Sequence, residues 1–122
     1  MSKCILVVDD SLSIRQSLRY MLEHSGYQVC DAPNGKEALE TITPDTQLVI
    51  TDINMPVMNG IDLIKGIRNR KDALKTVPIL VLTTETQGET RQQGKDAGAT
   101  GWIVKPFTPE ELIAVIKKVI GA

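Results

Sequence analysis

Residues 3–10 read Lys-Cys-Ile-Leu-Val-Val-Asp-Asp, an apolar run that stops at two adjacent aspartates. Four further runs rich in Val, Ile and Leu follow at residues 27–31, 48–51, 77–83 and 100–104. Gly, Pro or polar residues bound each of them. Continuous apolar runs of this length are typical of strands buried on both faces, which occur in parallel sheets. The chain is therefore predicted to contain five parallel strands.

Amphipathic segments separate these runs and carry helix signals. Asn34 precedes Glu37, and Thr108 precedes Glu111, which places a cap residue three positions before an acid. The fourth segment, roughly residues 88–97, has almost no apolar face and contains Gly94, which costs ~1 kcal/mol relative to alanine inside a helix. We expect it to open more easily than its neighbours. The other segments place apolar residues at helical spacing: Ile14, Leu18, Met21 and Leu22, then Ile61, Ile64 and Ile67, and last Leu112, Val115, Ile116 and Val119.

Five strand–helix units predict an α/β fold: one doubly wound, flavodoxin-like (βα)5 domain with right-handed crossovers and helices on both faces. The strand order expected for this arrangement is 2-1-3-4-5. A length of 122 residues fits one domain. The formal net charge of -1 argues against a nucleic-acid binder that relies on a basic surface.

The cysteines and the hydropathy pattern limit the remaining protein classes. Cys4 and Cys30 are too few for a disulfide scaffold, lack CxxC spacing and fall inside apolar runs, so we interpret them as buried thiols. No early apolar run reaches the length of a signal peptide, and none approaches that of a membrane helix. We expect a soluble, cytoplasmic protein with no membrane insertion.

Polar residues end four of the predicted strands. In open α/β sheets, ligands bind outside the carboxyl ends of the strands. Carboxylates gathered there suit a hard divalent cation, Mg2+ above all, and a lysine with a hydroxyl suits a phosphoryl group. Each of these pairs alone is more often a turn, a cap or, for Lys105, a solvated surface lysine, and only their joint placement favours a site. The pairs are Asp9-Asp10, Thr51-Asp52, Thr83-Thr84 and Lys105-Pro106.

These residues resemble a known family over the whole chain. Asp9-Asp10, Asp52 with Asn54-Met55-Pro56 and Gly60, Thr83, and Lys105-Pro106-Phe107 are similar in order and spacing to the receiver domain of bacterial response regulators. The chain length, together with residues 77–85 and 101–107, is similar to stand-alone chemotaxis regulators of the CheY type.

The resemblance implies a role for each residue at this edge. Asp52 would accept a phosphoryl group, and Asp10, Asp52 and the backbone carbonyl of Asn54 would bind Mg2+ directly, while Asp9 would act through a metal-bound water. The side chain of Asn54 would tune the lifetime of the acyl phosphate. Lys105 would pair with the phosphoryl oxygens, and the Lys105–Pro106 peptide is expected to be cis.

Thr83 and Trp102 form the switch that the resemblance implies. Thr83 would move to hydrogen-bond a phosphoryl oxygen while the aromatic residue at position 102 swings inward. The family often has Tyr or Phe where this chain has Trp102, and a buried indole N–H needs a partner. Two interpretations stay open: a switching indole, and a static aromatic packed on strand five.

As a whole, the resemblance implies a signalling protein and not an enzyme, beyond catalysis of its own phosphorylation and dephosphorylation. Residues 1–122 would form the receiver domain with no output domain. Its partners would be a histidine kinase, a downstream target such as a flagellar motor switch or motility component, and a phosphatase. The output face would comprise helix 4, strand 5 and helix 5, on a monomer with a possible phosphorylation-dependent dimer.

Four other functions are weighed against this one. A phosphate sink or shuttle and a receiver-like module that binds without phosphorylation stay open. An Mg2+-dependent phosphohydrolase that forms an aspartyl phosphate usually carries an acid where this chain has Asn54, together with a cap domain. A flavin or nucleotide binder would need a glycine-rich loop after strand one, where residues 9–13 are acidic instead.

Overall fold

A computed structural model describes residues 3–84 and 88–120, and Glu85, which ends the 77–85 motif, lies outside these ranges. Strands and helices alternate within them, as predicted. The strands are Cys4–Val8 (β1), Gln28–Ala32 (β2), Thr46–Thr51 (β3), Ile79–Thr83 (β4) and Gly101–Val104 (β5). The α-helices are Leu12–His24 (α1), Gly35–Thr41 (α2), Gly60–Arg68 (α3), Gly88–Ala97 (α4) and Pro109–Ile120 (α5).

The strands form one parallel sheet in the order β2-β1-β3-β4-β5, which confirms the predicted topology. Val8 at the end of β1 pairs with Ala32 in β2 and with Thr51 in β3. Thr83 at the end of β4 pairs with Val104 at the end of β5. The residues that follow these strands therefore emerge along one edge of the sheet.

Two aliphatic layers cover the opposite faces of the sheet. Ile5 and Val7 of β1 pack in the layer that contains residues of α1 and α5, whereas Leu6 and Val8 pack in the layer with α2 and α3. Burying one such side chain contributes roughly 1.5–3 kcal/mol. This alternation explains why the strands read as continuous apolar runs.

The predicted cap residues make the expected contacts. Asn34 Oδ1 accepts a hydrogen bond from the Glu37 amide at 2.9 Å, and Asn34 Nδ2 donates to Glu37 Oε2 at 3.0 Å. Thr108 Oγ1 accepts from the Glu111 amide at 3.1 Å. These contacts satisfy amide groups that a helix start leaves unpaired.

The structure differs from the sequence prediction around β3 and β4. β3 begins at Thr46, two residues earlier than the apolar pattern indicates. Val77 and Pro78 precede β4, because the Val77 amide donates to the Leu74 carbonyl and closes a 3-10 helix, Ala73–Thr76, that the pattern did not predict.

Within the described residues, no helix combines the length and apolar character needed to cross a membrane.

Candidate phosphoacceptor site

Asp9 and Asp52 follow neighbouring strands, and the sheet register brings them together. β1 and β3 pair from Ile5 with Leu48 to Val8 with Thr51. The Asp52 amide donates to the Val8 carbonyl at 3.1 Å, which continues the ladder past the end of β3. The backbone pairing alone therefore sets both aspartates at the same edge of the sheet.

The Lys105 ammonium group lies between these two carboxylates. Its Nζ atom is 3.5 Å from Asp9 Oδ2 and 3.5 Å from Asp52 Oδ2. The Lys105 amide donates to the Thr83 carbonyl at 2.9 Å, so the end of β4 holds the backbone from which the lysine extends. The Lys105–Pro106 peptide is cis, as expected. The single positive charge of Lys105 is thus shared by the carboxylates of Asp9 and Asp52.

The charge on Asp9 is incompletely compensated. Asp9 is only 4% exposed, and burial raises the pKa of its carboxyl above the usual value. The Ser11 amide, which donates to Asp9 Oδ1 at 2.9 Å, and the Lys105 charge lower this pKa in part, whereas the charge of Asp52 raises it. Additional positive charge at this edge would therefore be favourable.

The remaining oxygen donors suit a magnesium ion. Asp10 and Asn54 are exposed beside this edge, and Asp52 Oδ1 accepts from the Ile53 amide at 2.6 Å. Within the described residues, no three Asp, Glu, His or Cys side chains enclose a metal position by themselves. Mg2+ usually keeps several waters and takes only one or two carboxylates from a protein. The carboxylates of Asp10 and Asp52, together with the backbone carbonyl of Asn54, therefore suit this ion by their chemistry.

The loop from β3 to α3 folds back on the backbone of Asp52. The Gly60 amide donates to the Ile53 carbonyl at 2.9 Å, and a Cβ atom at position 60 would collide with the Asp52 carbonyl oxygen. Asn59 caps α3 by accepting from the Asp62 amide at 2.9 Å. The glycine of the motif is thus required by the close approach of α3 to Asp52.

Thr83 and Trp102 lie on the two strands farthest from β2. Thr83 is fully buried at the end of β4. Trp102 is half-buried in β5, and a Cβ atom added to Gly94 of α4 would lie 2.6 Å from its Cζ3 atom. The indole Nε1 is buried and has no hydrogen-bond partner among the described residues. The buried Gly94 therefore gives the indole room, a reason for this glycine that the polar pattern of α4 did not reveal.

Arg15 is a residue of this site that the sequence analysis missed. Its Nη1 atom donates to the Asp9 carbonyl at 2.6 Å, and its Nε atom donates to Asp31 Oδ2 at 2.7 Å. Arg15 thereby ties the Asp9 backbone to the edge strand β2. An arginine in the first turn of an amphipathic helix is ordinarily a solvated residue, so its position in the sequence gives no signal of this contact.

Comparison with known proteins identifies the family. The model of the response regulator receiver domain matches residues 5–117. The chain belongs to this family. Chemotaxis protein CheY1 of Helicobacter pylori (strain ATCC 700392 / 26695) is 41% identical over 120 residues, which cover 96% of each protein. The resemblance found in the sequence is thereby confirmed.

Solved structures of receiver domains share the fold of this one. Vibrio cholerae chemotaxis protein CheY4 matches with a TM-score of 0.90 and 45% identity over 98% of this chain and 99% of that one. The receiver domain of sensor histidine kinase PA1611 from Pseudomonas aeruginosa PAO1, described with a magnesium ion coordinated in the active site cleft, matches with a TM-score of 0.89 and 26% identity over the full length of both chains.

In this receiver domain the predicted site residues fall into two groups. Lys105 contacts both Asp9 and Asp52. Asp10 and Asn54 are exposed where they follow the same strands, and Thr83 is buried at the end of β4. The first group places three charged side chains close together at the edge of the sheet, and the second contributes two exposed residues and one buried residue near the ends of the strands.

Proposed function

We propose that this receiver domain accepts a phosphoryl group on Asp52 from the phosphohistidine of a histidine kinase, and that phosphorylation switches its binding of a partner protein. The contact of Lys105 with both Asp52 and Asp9 carries the proposal. It sets a fixed positive charge beside a carboxylate that stands at the ligand-binding edge of a doubly wound sheet.

In the proposed reaction, one Asp52 carboxylate oxygen attacks phosphorus and forms a P–O bond. The P–N bond to the donor imidazole breaks, and its electron pair stays on that nitrogen. Lys105 remains beside Asp52 and pairs with the phosphoryl oxygens, which carry the transferred negative charge. Positioning and charge stabilisation account for most of the catalysis in phosphoryl transfer, so a small domain suffices.

We further propose that Asp10, Asp52 and the Asn54 carbonyl hold Mg2+, with Asp9 acting through a bound water. The incompletely compensated charge of Asp9 supports this assignment, as does the magnesium ion coordinated in the active site cleft of the Pseudomonas aeruginosa receiver domain. The ion would neutralise negative charge shared by the aspartates and the phosphoryl group. The Asn54 side chain, exposed at the mouth, tunes hydrolysis of the acyl phosphate.

The proposed output face comprises α4, β5 and α5. Thr83 hydrogen-bonds a phosphoryl oxygen in the phosphorylated state, and the Trp102 side chain changes position in response, because β4, which ends at Thr83, pairs with β5, which carries Trp102. The chemotaxis names of CheY1 and CheY4 support a target in chemotaxis or motility control, such as a flagellar motor switch. The proposed setting is the cytoplasm, where a histidine kinase domain and a phosphatase would meet the site.

Intact mass after incubation with acetyl phosphate tests the proposal. We expect one phosphoryl adduct that requires Mg2+, does not form in EDTA and is absent in Asp52→Asn. Asp62→Asn is the matched control, since Asp62 is an exposed aspartate in the same segment, and it should form the adduct normally. An adduct that survives Asp52→Asn, or none under conditions that trap short-lived acyl phosphates, would contradict the proposal and favour a phosphorylation-independent module. The decay rate of the adduct separates a signal from a phosphate sink.

A further inference from the structure

The two cysteines meet across β1 and β2, where Cys4 begins β1 at the end of the sheet opposite to the phosphoacceptor site and Cys30 lies in the middle of β2. Cys4 Sγ lies 3.1 Å from Cys30 Sγ, and both residues are free cysteines with partial exposure. The sequence analysis expected two buried thiols. Instead, β1 and β2 bring them into contact where solvent reaches both residues.

The strand register explains the contact. Cys4 pairs with Gln28, and Leu6 pairs with Cys30, so the two cysteines are diagonal neighbours across β1 and β2. The ladder of β1 with β3 shifts register between Cys4 and Ile5. An irregularity of this kind bends a strand and re-aims its side chain. Cys30 packs against the core layer of α2 and α3, which limits the directions its sulfur can take.

The spacing of the sulfurs suits a covalent bond better than a shared metal ion. Two thiolates on one tetrahedral zinc ion stand about 3.8 Å apart, given Zn–S bonds of about 2.3 Å. At 3.1 Å the sulfurs of Cys4 and Cys30 are closer than that. A disulfide bond needs about 2.05 Å, so the remaining approach is about 1 Å. Within the described residues, no third metal-ligating side chain completes a cluster with them.

We propose that Cys4 and Cys30 are a redox modification site, at which a small-molecule disulfide converts the two thiols to a reversible intramolecular disulfide. The Cys4 thiolate attacks one sulfur of the small disulfide, forms a mixed disulfide and releases one small thiol. The Cys30 thiolate then attacks the Cys4 sulfur and releases the second small thiol. In balance, two protein thiols are oxidised to one disulfide while the small disulfide is reduced to two thiols.

The order of these two steps follows from the packing of Cys30 against the core layer of α2 and α3, which limits the access of a small disulfide to its sulfur. Burial and the hydrogen bond with the Cys4 thiol raise the pKa of Cys30 to about 12. Since the thiolate is the attacking form, Cys30 is a poor first nucleophile. Once Cys4 is in the mixed disulfide, its thiol no longer raises the pKa of Cys30. Cys30 then becomes a better nucleophile at the moment when it must attack.

The fold tolerates the small movement that the bond requires. β2 is an edge strand that pairs only with β1 in the described sheet, so it can shift without breaking a second ladder. Asp9 lies five residues along the chain from Cys4, about 16 Å at the usual rise of a strand, and three residues, about 10 Å, from Leu6, which pairs with Cys30. The crosslink is therefore compatible with an intact phosphoacceptor site, and the inference does not rest on the proposed function.

Oxidised glutathione provides the test, with reduced full-length protein and intact mass as the readout. We expect the wild type to lose two hydrogen atoms and to retain no glutathione. Trypsin should then release peptides 4–15 and 20–36 joined to each other, and dithiothreitol should separate them. Asp52→Asn should form the same crosslink, which separates failure of this inference from failure of the proposed function.

Single substitutions test the order of attack. Cys30→Ser should accumulate a stable glutathione adduct on Cys4, and Cys4→Ser should react more slowly, because burial of Cys30 remains in that variant. Wild-type protein that accumulates the glutathione adduct, forms only disulfides between chains, or stays unmodified while Cys30→Ser reacts would overturn the inference. The peptide map of the wild type gives this answer even if a serine variant fails to fold.

Discussion

At the scale of single residues, Asp9 illustrates the energetic cost of gathering charge at one edge. Burial raises the pKa of its carboxyl, so the folded protein holds this proton more tightly than the unfolded chain does. Stability therefore falls as the pH rises from the usual Asp pKa of 3.8 through the raised value, and the full penalty is present at neutral pH. Lys105 offsets this penalty only in part.

Replacing Asp9 with asparagine should relieve that penalty. We expect Asp9→Asn to melt at a higher temperature than the wild type at neutral pH without Mg2+, because the amide is uncharged and its oxygen can still accept from the Ser11 amide. Asp10→Asn is the control and should change the melting temperature much less, since Asp10 is exposed. A lower melting temperature for Asp9→Asn would show that its pairing with Lys105 outweighs its burial.

Val57 is a second residue whose conformation lowers the stability of the folded protein. It lies in the loop between β3 and α3 with φ of +69°, a left-handed conformation that β-branched residues rarely adopt. Its side chain is 75% exposed, so packing contributes little stability to offset the unfavourable backbone conformation. Asparagine tolerates this conformation well.

Val57→Asn should therefore stabilise the fold by about 1 kcal/mol. Urea denaturation measures the change, with Val57→Ala as the control that removes the branched side chain without the preference of asparagine for the left-handed region. The control should gain less. Equal or lower stability of Val57→Asn would mean that the loop is not strained at this position.

At the scale of elements, Arg15 and Arg19 join α1 to the edge strand β2 in different ways. Both pair with Asp31, and Arg19 also donates to the Val29 carbonyl at 2.9 Å. Arg15 alone of the two donates to the Asp9 carbonyl. Both arginines therefore stabilise the contact between β2 and α1, whereas only Arg15 also positions the backbone of Asp9.

Replacing either arginine with methionine should reveal this division. We expect each variant to lose stability, by roughly 1–3 kcal/mol for Arg15→Met because its hydrogen bonds are charge-assisted and partly buried. Isothermal titration calorimetry should show weaker Mg2+ binding for Arg15→Met and nearly unchanged binding for Arg19→Met. Equal effects of the two substitutions on Mg2+ affinity would contradict a positioning role for Arg15.

Helix α4 is linked to β5 through the contact of Gly94 with Trp102. Alanine favours a helix over glycine by about 1 kcal/mol, yet at position 94 its Cβ would meet the indole. Gly94→Ala should therefore destabilise the wild type or displace Trp102, which a shift of its fluorescence would report. In a Trp102→Ala background the same substitution should stabilise the protein. The same effect in both backgrounds, by urea denaturation, would exclude the proposed contact.

At the scale of the whole molecule, the sheet and the edge that carries the site could be predicted because both depend on local patterns. Continuous apolar runs indicate buried parallel strands, and the polar residues that end them must share an edge. Contacts that depend on register and helix phase could not be predicted. The Cys4–Cys30 contact needs the diagonal register of β1 and β2, and the Arg15 contact needs the rotation of α1. Neither contact can be deduced from the spacing of residues along the chain.

The same limit applies to glycine. The motif predicted Gly60 without its physical reason, which is the approach of α3 to the Asp52 carbonyl. Gly94 appeared only as a defect of a polar helix, whereas the fold uses it to accommodate the indole of Trp102. Steric requirements of this kind belong to the packed molecule.

The most direct test of the central claim is to locate the phosphoryl group. After reaction with acetyl phosphate and Mg2+, borohydride reduces an aspartyl phosphate to homoserine, and trypsin releases peptide 37–65, which contains Asp45, Asp52 and Asp62. We expect fragment masses to show homoserine at position 52 and unmodified aspartate at the other two positions. Homoserine in peptide 4–15, which carries Asp9 and Asp10, or at position 45 or 62, would contradict the assignment of Asp52 as the phosphoacceptor.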